Sequence, residues 1–301
     1  MSKRSKRATN IDPFLNPEER KLVTFFNPLS PVAEGYRTLR TNVHFVSPDQ
    51  PLHVLAITSA MTAEGKTTTA ANLAITLAQE GHKTLLIDGD LRKPSMHRLF
   101  DLANTQGLTN VLVGQISYEE VIQALPVEHL HLLTAGPTPP NPSEMLMSRA
   151  MDNLVKQLRG AYTYIVFDTS PVTAVTDAQL IASLADGVLL VARVDFSRRE
   201  PLVRALQLLE SVQAHVVGTV LNAVPKKSAL YRYGYGYGYG YGYGYGAGAS
   251  KKGRKKAKSE EPAAPSYGPL SPQPSKPNFS SIEAVATQEL PEHLSRNRRK
   301  R

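Results

Sequence analysis

Short apolar runs separated by helical patterns occupy most of the first 225 residues. The runs are four to eight residues long and predict buried strands, at His53–Ser59, Thr84–Asp88, Leu130–Leu133, Tyr164–Asp168, Gly187–Val194 and Val216–Asn222. Apolar residues at helical spacing predict helices between these runs, at Lys66–Gln79, Tyr118–Leu125, Ala150–Leu158, Asp177–Leu184 and Pro201–Leu209. Because buried strands that alternate with helices form parallel sheets, we predict an α/β fold whose mostly parallel sheet carries helices on both faces.

The net charge of the chain is unevenly distributed. The 301 residues carry a formal charge of +9, which by itself would suggest a nucleic-acid-binding protein. Residues 1–225, however, hold 20 basic and 21 acidic side chains, whereas residues 226–301 hold 15 basic and 5 acidic ones. Because the first 225 residues are nearly neutral, we do not expect nucleic-acid binding to be the main function.

The sequence contains neither cysteine nor a long apolar stretch. Without cysteine there is no disulfide framework, no thiolate metal site and no thiol catalysis. No apolar run reaches the roughly 18 residues of a membrane span, and no apolar core of a signal peptide follows the basic start at Met1–Arg7. We therefore expect a cytoplasmic protein.

Three segments of the chain differ in composition. Residues 1–27 form a basic N-terminal segment, residues 28–225 hold the predicted strands and helices, and residues 226–301 are rich in Tyr, Gly, Pro and basic side chains. The last segment has too few apolar side chains for a core, so we predict a disordered tail. Its closely spaced tyrosines are Tyr231, Tyr233, Tyr235, Tyr237, Tyr239, Tyr241, Tyr243 and Tyr245. A Gly/Tyr segment of this kind can also self-associate through aromatic contacts.

The residues after the first predicted strand match a phosphate-binding loop. The segment AMTAEGKT at 60–67 lies between a strand and a helix, which is the context that this motif requires. Backbone N–H groups of such a loop face phosphates, its lysine neutralises their oxygens, and its hydroxyl ligates Mg²⁺. The sequence thus predicts a P-loop NTPase-like fold, although Gly-Lys-Thr can also occur by chance at a helix start. The predicted nucleotide-binding residues are Thr62, Ala63, Glu64, Gly65, Lys66, Thr67 and Thr68.

Two predicted strands deliver acidic side chains to the sheet edge where the loop lies. Asp168 ends one strand, and Asp88 and Asp90 lie at the end of another. A carboxylate in the position of Asp168 suits the Mg²⁺ shell of a Walker B motif. The pair Asp88 and Asp90 suits a metal ligand and a base for an incoming hydroxyl, or merely caps the next turn.

Together these motifs resemble the bacterial tyrosine kinases (BY-kinases) of capsule and exopolysaccharide synthesis, in their stand-alone catalytic-subunit form. The shared elements are the phosphate-binding loop, LLIDGDLRKP at 85–94, FDTSP at 167–171, an E-x2-R-x2-R motif at 34–40 and a tyrosine-rich C-terminus. The resemblance implies an ATP- and Mg²⁺-dependent protein-tyrosine kinase that autophosphorylates its tail tyrosines between subunits. It also implies a role in regulating the synthesis and export of a polysaccharide.

The resemblance gives each matching residue near the loop a role. Lys66, Asp88 and Asp90 would be catalytic, with Asp88 as the candidate base. Thr67, Asp90 and Asp168 would hold Mg²⁺. The eight tail tyrosines would be the phosphate acceptors.

Residues farther from the loop are assigned in the same way. Asn222 resembles the residue that contacts adenine in related P-loop ATPases. Glu34, Arg37 and Arg40 would form the interface of a homo-oligomeric ring. From spacing alone, these three residues fit equally well a solvated helix face with i,i+3 pairs. The expected partners are a separate transmembrane activator of the polysaccharide co-polymerase type, which would recruit the kinase to the inner face of the membrane, and a tyrosine phosphatase.

Some residues depart from the family pattern. The family usually has Pro-Gly at Thr62 and Ala63, and Pro at Ser170. Ala63 removes glycine's backbone freedom, so the loop geometry there is open to question. The alternative function is a P-loop ATPase of the partition or positioning type, which switches with nucleotide and phosphorylates no protein. Those ATPases carry a second lysine where this chain has Met61.

Overall fold

One twisted sheet is the framework of the molecule. The computed structural model describes residues 21–47 and 51–225. The strands in these residues are β1 (Val54–Ser59), β2 (Thr84–Asp88), β3 (Gln123–Ala124), β4 (Leu130–Leu133), β5 (Tyr164–Asp168), β6 (Gly187–Arg193) and β7 (Val216–Asn222). They form one sheet in the order β3-β4-β2-β5-β1-β6-β7. Every neighbouring pair is parallel except β3 and β4.

Helices cover both faces of the sheet. Those in the described residues are α1 (Val23–Phe26), α2 (Pro31–Val46), α3 (Lys66–Gln79), α4 (Met96–Leu99), α5 (Leu108–Leu112), α6 (Tyr118–Val121), α7 (Pro142–Leu146), α8 (Arg149–Ala161), α9 (Asp177–Ala182) and α10 (Arg199–Ser211). The core on one face is closed by α2, α3 and α4, and the core on the other face by α5 to α10. The predicted mostly parallel α/β fold is thereby confirmed.

Successive residues of the central strands pack into different cores. In β1, Val54 and Ala56 belong to the core beneath α5 to α10, and Leu55 and Ile57 belong to the core beneath α3. Both sets are buried because a parallel sheet with helices on each face has no solvated side. This is why the strands appear in the sequence as continuous apolar runs.

The strand at the sheet edge differs from this pattern. The prediction makes Val216–Asn222 a buried strand like the others, but β7 has a neighbour on one side only, β6. Its residues are partly buried or exposed, and the side chain of Leu221 is 52% exposed. The apolar run therefore gives the correct strand but not its position at the edge.

The predicted helix over 118–125 is wrong in its second half. Helix α6 ends at Val121, and Gln123 and Ala124 pair antiparallel with β4 as β3. Leu125 precedes Pro126, and the proline ring disfavours helical backbone in the residue before it. The N–H of Leu125 instead donates to the carbonyl of Leu130 at 3.0 Å, which closes a short hairpin.

The folded residues begin upstream of the predicted domain start at residue 28. Leu22 is buried, and Thr24 of α1 donates from its backbone N and its Oγ1 to Asn72 Oδ1 of α3, at 3.0 and 2.8 Å. Asn72 is fully buried, so these bonds satisfy its amide inside the core. The first packed helix therefore lies in the segment assigned to the basic N-terminus. The predicted tail and its eight tyrosines lie outside the described residues.

The register of the central strands determines where the functional side chains meet. Strands β2 and β5 are parallel neighbours, and Asp88 is opposite Asp168 at their carboxyl ends. Strand β1 is the other neighbour of β5, and the phosphate-binding loop begins where β1 ends, at Ser59. The loop and the two acids therefore share one edge of the sheet, as expected for ligand sites of open α/β sheets. In the described part of the chain, no helix is long and apolar enough to cross a membrane.

Candidate active site

The phosphate-binding loop turns into α3 at a glycine. Gly65 has a φ of +98° and is the N-cap residue of α3, whose first residue is Lys66. A Cβ at this position would lie 1.9 Å from Nδ2 of Asn222, so a side chain is excluded by contact as well as by backbone conformation. The turn leaves the first N–H groups of α3 without helical partners, which suits them to bind an anion.

Ala63 has a left-handed backbone conformation. Its φ is +65°, a region in which an L-residue is strained and glycine is not. The Arg193 side chain donates from Nη1 to the carbonyl of Ala63 at 3.2 Å and helps to hold this conformation. The loop therefore accommodates alanine at this position at a cost in strain.

Glu64 fixes the loop from inside, a role that the sequence did not suggest. Its side chain is 1% exposed, and its Oε2 accepts the N–H of Met61 at 2.7 Å. Its Oε1 accepts the hydroxyl of Ser197, from the turn after β6. The Asn222 amide donates to the Glu64 carbonyl at 3.0 Å. Glu64 thus connects the loop to the ends of β6 and β7. The P-loop motif does not specify the residue at this position, so it could not predict this role.

Lys66 lies among the predicted metal ligands. Its Nζ is 3.4 Å from Asp90 Oδ2 and 3.7 Å from Asp168 Oδ1. The hydroxyl of Thr67 donates to Asp168 Oδ2 at 2.7 Å. The structure therefore brings together Lys66, Thr67, Asp90 and Asp168, which come from α3, the turn after β2 and the end of β5.

Asp88 lies beside this cluster, opposite Asp168 and bonded through its Oδ1 to the N–H of Asp90. It is fully buried, and its Oδ2 accepts the N–H groups of Ser95 and Met96, each at 2.9 Å. The next residue, Gly89, donates its N–H to the carbonyl of Asp168 at 2.8 Å. A Cβ on Gly89 would lie 2.8 Å from that same carbonyl oxygen, so only glycine lets β2 and β5 approach this closely at their ends.

Burial and the repulsion between carboxylates raise the pKa values of Asp88 and Asp168. Burial, together with the nearby Asp168 and Asp90 charges, raises the pKa of Asp88 to about 7, although the Ser95 and Met96 N–H groups oppose the shift. Burial also raises the pKa of Asp168, against the effect of Lys66 and Thr67. Burial lowers the pKa of Lys66, but the carboxylates outweigh it and the net pKa is raised. The Lys66 ammonium therefore stays charged, and the neighbouring carboxylates share its single positive charge.

These groups fit a divalent cation such as Mg²⁺. Asp168 Oδ1 is buried and accepts no hydrogen bond from the described residues, and the Lys66 ammonium lies 3.7 Å from it, so this carboxylate oxygen retains lone pairs for a metal. Carboxylate and hydroxyl oxygens are the ligands that Mg²⁺ prefers. Thr67, Asp90 and Asp168 would hold the ion, and it would relieve the repulsion that raises the pKa values of Asp88 and Asp168.

Asn222 lies beside the loop at the end of β7. Besides its bond to Glu64, its Oδ1 accepts the N–H of Ala223 at 2.8 Å. It also lines a cavity of about 280 Å³ between α2 and β7, together with Tyr36, Leu39 and Val220. Asn222 is therefore next to an apolar space as well as next to the loop.

The predicted interface residues lie on α2, apart from the carboxylate cluster. Arg37 donates to Glu34 Oε2 at 2.7 Å and to the carbonyl of Pro28 at 2.6 Å. Arg40 contacts α3, with Nη1 donating to the carbonyl of Thr76 at 3.0 Å. The i,i+3 pair that spacing alone suggests is thus formed within the chain.

An ion pair between the exposed Arg92 and the buried Asp177 supports the turn after β2. Arg92 donates from Nε and Nη2 to the two carboxylate oxygens of Asp177, at 2.7 and 3.2 Å. The Ser143 hydroxyl donates to Asp177 Oδ1 at 2.6 Å. The sequence motif contains Arg92, but only the fold shows that Asp177 is its partner.

We predict that Ala63→Gly stabilises the protein. Glycine removes the strain at a φ of +65°, so the free energy of unfolding should rise by about 1 kcal/mol and the melting temperature by about 2–4 °C. Thermal unfolding of the full chain measures this. The control, Ala150→Gly in helix α8, should lower stability by about 1 kcal/mol. Equal destabilisation by both substitutions would contradict the conclusion that the backbone of Ala63 is strained.

We also predict that stability falls as the pH rises from 4 to 7 without divalent cations. Asp88 has a pKa of about 7 when folded and near 3.8 when unfolded, so the folded state binds more protons in this window. The loss between pH 4 and pH 7 should be about 3 kcal/mol, because Asp88 is only half ionised at pH 7 in the folded state. Asp88→Asn should reduce it, as measured by denaturant unfolding with a chelator. The exposed Asp152→Asn variant serves as the control. If the free energy of unfolding depended on pH equally in all three proteins, the raised pKa of Asp88 would be refuted.

Known proteins resemble this chain over about 70% of its length. An AAA domain family matches residues 52–221. Tyrosine-protein kinase YwqD from Bacillus subtilis (strain 168) is 44% identical over 216 residues, which cover 72% of this chain and 91% of that protein. The solved kinase domain of the Escherichia coli tyrosine kinase ETK is 34% identical, with a TM-score of 0.67 over 74% of this chain and 84% of that chain. The chain therefore belongs to the family of bacterial protein-tyrosine kinases.

Proposed function

We propose that this kinase transfers the γ-phosphoryl group of ATP to the tyrosines of its own C-terminal segment, Tyr231–Tyr245, in a neighbouring copy of the chain. In this reaction the tyrosine oxygen bonds to the γ-phosphorus, the bond to the β–γ bridging oxygen breaks, and ADP leaves. The main support is that one chain combines the Lys66 and carboxylate cluster with eight closely spaced tyrosines.

The loop and Lys66 bind and orient the phosphates in this proposal. N–H groups at the start of α3 donate to phosphate oxygens, and Lys66 neutralises charge on them. Thr67, Asp90 and Asp168 hold Mg²⁺, which, when bound, neutralises charge that develops on the transferred group. Lys66 is held near this position before nucleotide binds, because Asp90 and Asp168 already attract its ammonium.

Asp88 accepts the phenolic proton. A base works best when its pKa is close to the working pH, and burial raises the pKa of Asp88 to about 7. Its two backbone donors, the N–H groups of Ser95 and Met96, fix the orientation of the carboxylate. Bound Mg²⁺ would favour the ionised form that acts as a base.

The nucleobase site is the cavity between α2 and β7. An adenine needs an apolar slot and a few polar groups at its edge. The cavity is lined by Tyr36 and Leu39, and Asn222 connects it to the phosphate-binding loop through Glu64. The Asn222 amide uses one N–H and one oxygen lone pair for its bonds to Glu64 and Ala223, so its second N–H and second lone pair would read adenine.

Assembly and control are further parts of the proposal. Glu34, Arg37 and Arg40 would exchange their contacts within the chain for contacts across a homo-oligomeric ring. A separate transmembrane activator would recruit the kinase to the inner face of the membrane, and a tyrosine phosphatase would reverse the reaction. Each phosphate adds about −1.5 to −2 charge. Several phosphates would therefore cancel the net charge of residues 226–301 and change what this segment binds.

We predict phosphotyrosine at Tyr231–Tyr245 when the full chain is incubated with labelled ATP and Mg²⁺, with and without an activator fragment. Lys66→Met and Asp88→Asn should each reduce the label at least about 100-fold, because they remove phosphate binding and proton transfer respectively. Mass spectrometry and phosphate release measure both products. The matched controls are Lys83→Met and Asp152→Asn, whose side chains are exposed and outside the cluster.

Transfer between copies can be tested in the same assay. Lys66→Met, which keeps its tail, is mixed with an active chain whose eight tail tyrosines are changed to phenylalanine. Label on the Lys66→Met chain would support transfer in trans. ATP hydrolysed to phosphate without any label on tyrosine would instead favour a switch of the partition type.

A further inference from the structure

A cluster of metal-binding side chains lies far from the phosphate-binding loop. His44 comes from α2, Glu80 is the C-cap of α3, and His82 lies in the turn that leads to β2. Helix α3 separates this cluster from the loop. With 14 residues at about 1.5 Å each, the separation is about 20 Å. The cluster is therefore a different site from the carboxylates around Lys66.

The ligand atoms are spaced for a small cation. His44 Nε2 is 3.7 Å and His82 Nε2 is 3.6 Å from the same oxygen, Glu80 Oε2, and all three atoms lie within 4.8 Å of one another. In a tetrahedral zinc site with bonds of 2.0–2.1 Å, neighbouring ligand atoms are about 3.4 Å apart. Small side-chain rotations would bring the three atoms to that spacing.

The side chain of His44 lacks a hydrogen-bond partner at Nε2, the nitrogen that faces Glu80. Its Nε2 is buried and makes no hydrogen bond within the described residues. The ring stacks on Tyr164 with centroids 5.8 Å apart, and the His82 ring packs edge-on against the same tyrosine at 5.3 Å. Both imidazoles are thus already oriented toward Glu80, and a cation would satisfy a buried nitrogen.

We propose that His44, Glu80 and His82 bind a divalent cation of the zinc class, with a fourth position open to water. Two imidazoles and one carboxylate suit Zn²⁺ and poorly suit Mg²⁺, which prefers oxygen ligands. Mg²⁺ at the phosphate-binding site therefore does not compete for this one. The ion ties the C-terminal half of α2 to the end of α3 and the start of β2.

Arg40 limits the affinity of this site and connects it to α2. Its Nε lies 3.2 Å from Glu80 Oε2, the oxygen that both histidines face. A cation therefore competes with Arg40 for one carboxylate, and binding of the ion weakens one of Arg40's contacts to α3. The Nη1 bond to the Thr76 carbonyl remains. By the reciprocity of linked binding, removal of the Arg40 charge strengthens metal binding.

The test uses the full chain, freed of metal by a chelator and then kept in excess Mg²⁺. Titration with ZnCl₂ by calorimetry should show one site, and CoCl₂ should give the visible d–d absorption of a tetrahedral ion. At a zinc concentration 100 times the Kd, the melting temperature should rise by about 5–10 °C. His44→Gln/His82→Gln should lose the cobalt spectrum and more than about tenfold in zinc affinity.

Two further variants separate metal binding from a general loss of structure. Glu80→Gln keeps the shape of the side chain and should weaken zinc binding, whereas Arg40→Gln should strengthen it. His53→Gln changes an exposed histidine outside the cluster and should bind zinc like the unchanged protein. The proposal is overturned if the unchanged protein binds no stoichiometric zinc. It is also overturned if the double histidine variant, with an unchanged melting temperature in chelator, keeps the full affinity and spectrum.

Discussion

Three buried carboxylates around one ammonium group are the constraint on which this site depends. Asp88 and Asp168 are direct neighbours because β2 and β5 are parallel and in register, and Asp90 follows only two residues later. Lys66 is the one ammonium within ion-pair distance of Asp90 and Asp168 among the described residues. Burial and mutual repulsion raise the pKa values of Asp88 and Asp168, so we expect the site to favour a proton or a further cation.

The surrounding residues keep this unfavourable arrangement in place. Gly89 allows the ends of β2 and β5 to approach, and Gly65 allows Asn222 to lie against the loop. Glu64 holds the loop to the ends of β6 and β7, although it contributes no charge to the phosphate side. The ends of the strands thus supply the acids, and the loop and the start of α3 supply the Lys66 ammonium and the N–H groups. The contacts of Gly65, Gly89 and Glu64 keep these groups together until nucleotide binds.

The sequence predicted those features that depend on neighbouring residues, and missed those that depend on tertiary contacts. The start of α3 at Lys66 follows from the loop motif, and the central strands follow from their apolar runs. The contacts of Glu64 with Ser197 and of Arg92 with Asp177 join residues more than 80 positions apart, so no local pattern reveals them. To predict the hairpin at β3, one would have to weigh the effect of Pro126 on the backbone of Leu125 against the helical pattern of residues 118–125.

We expect the carboxylate cluster to be a cation site that nucleotide binding completes. The most direct measurement is the affinity for fluorescent ADP, with and without Mg²⁺, of the unchanged chain, Asp168→Asn and the exposed control Asp152→Asn. Mg²⁺ should raise the affinity of the unchanged chain and the control by about tenfold or more, and that of Asp168→Asn by less than about threefold. An equal effect of Mg²⁺ on all three proteins would contradict the account.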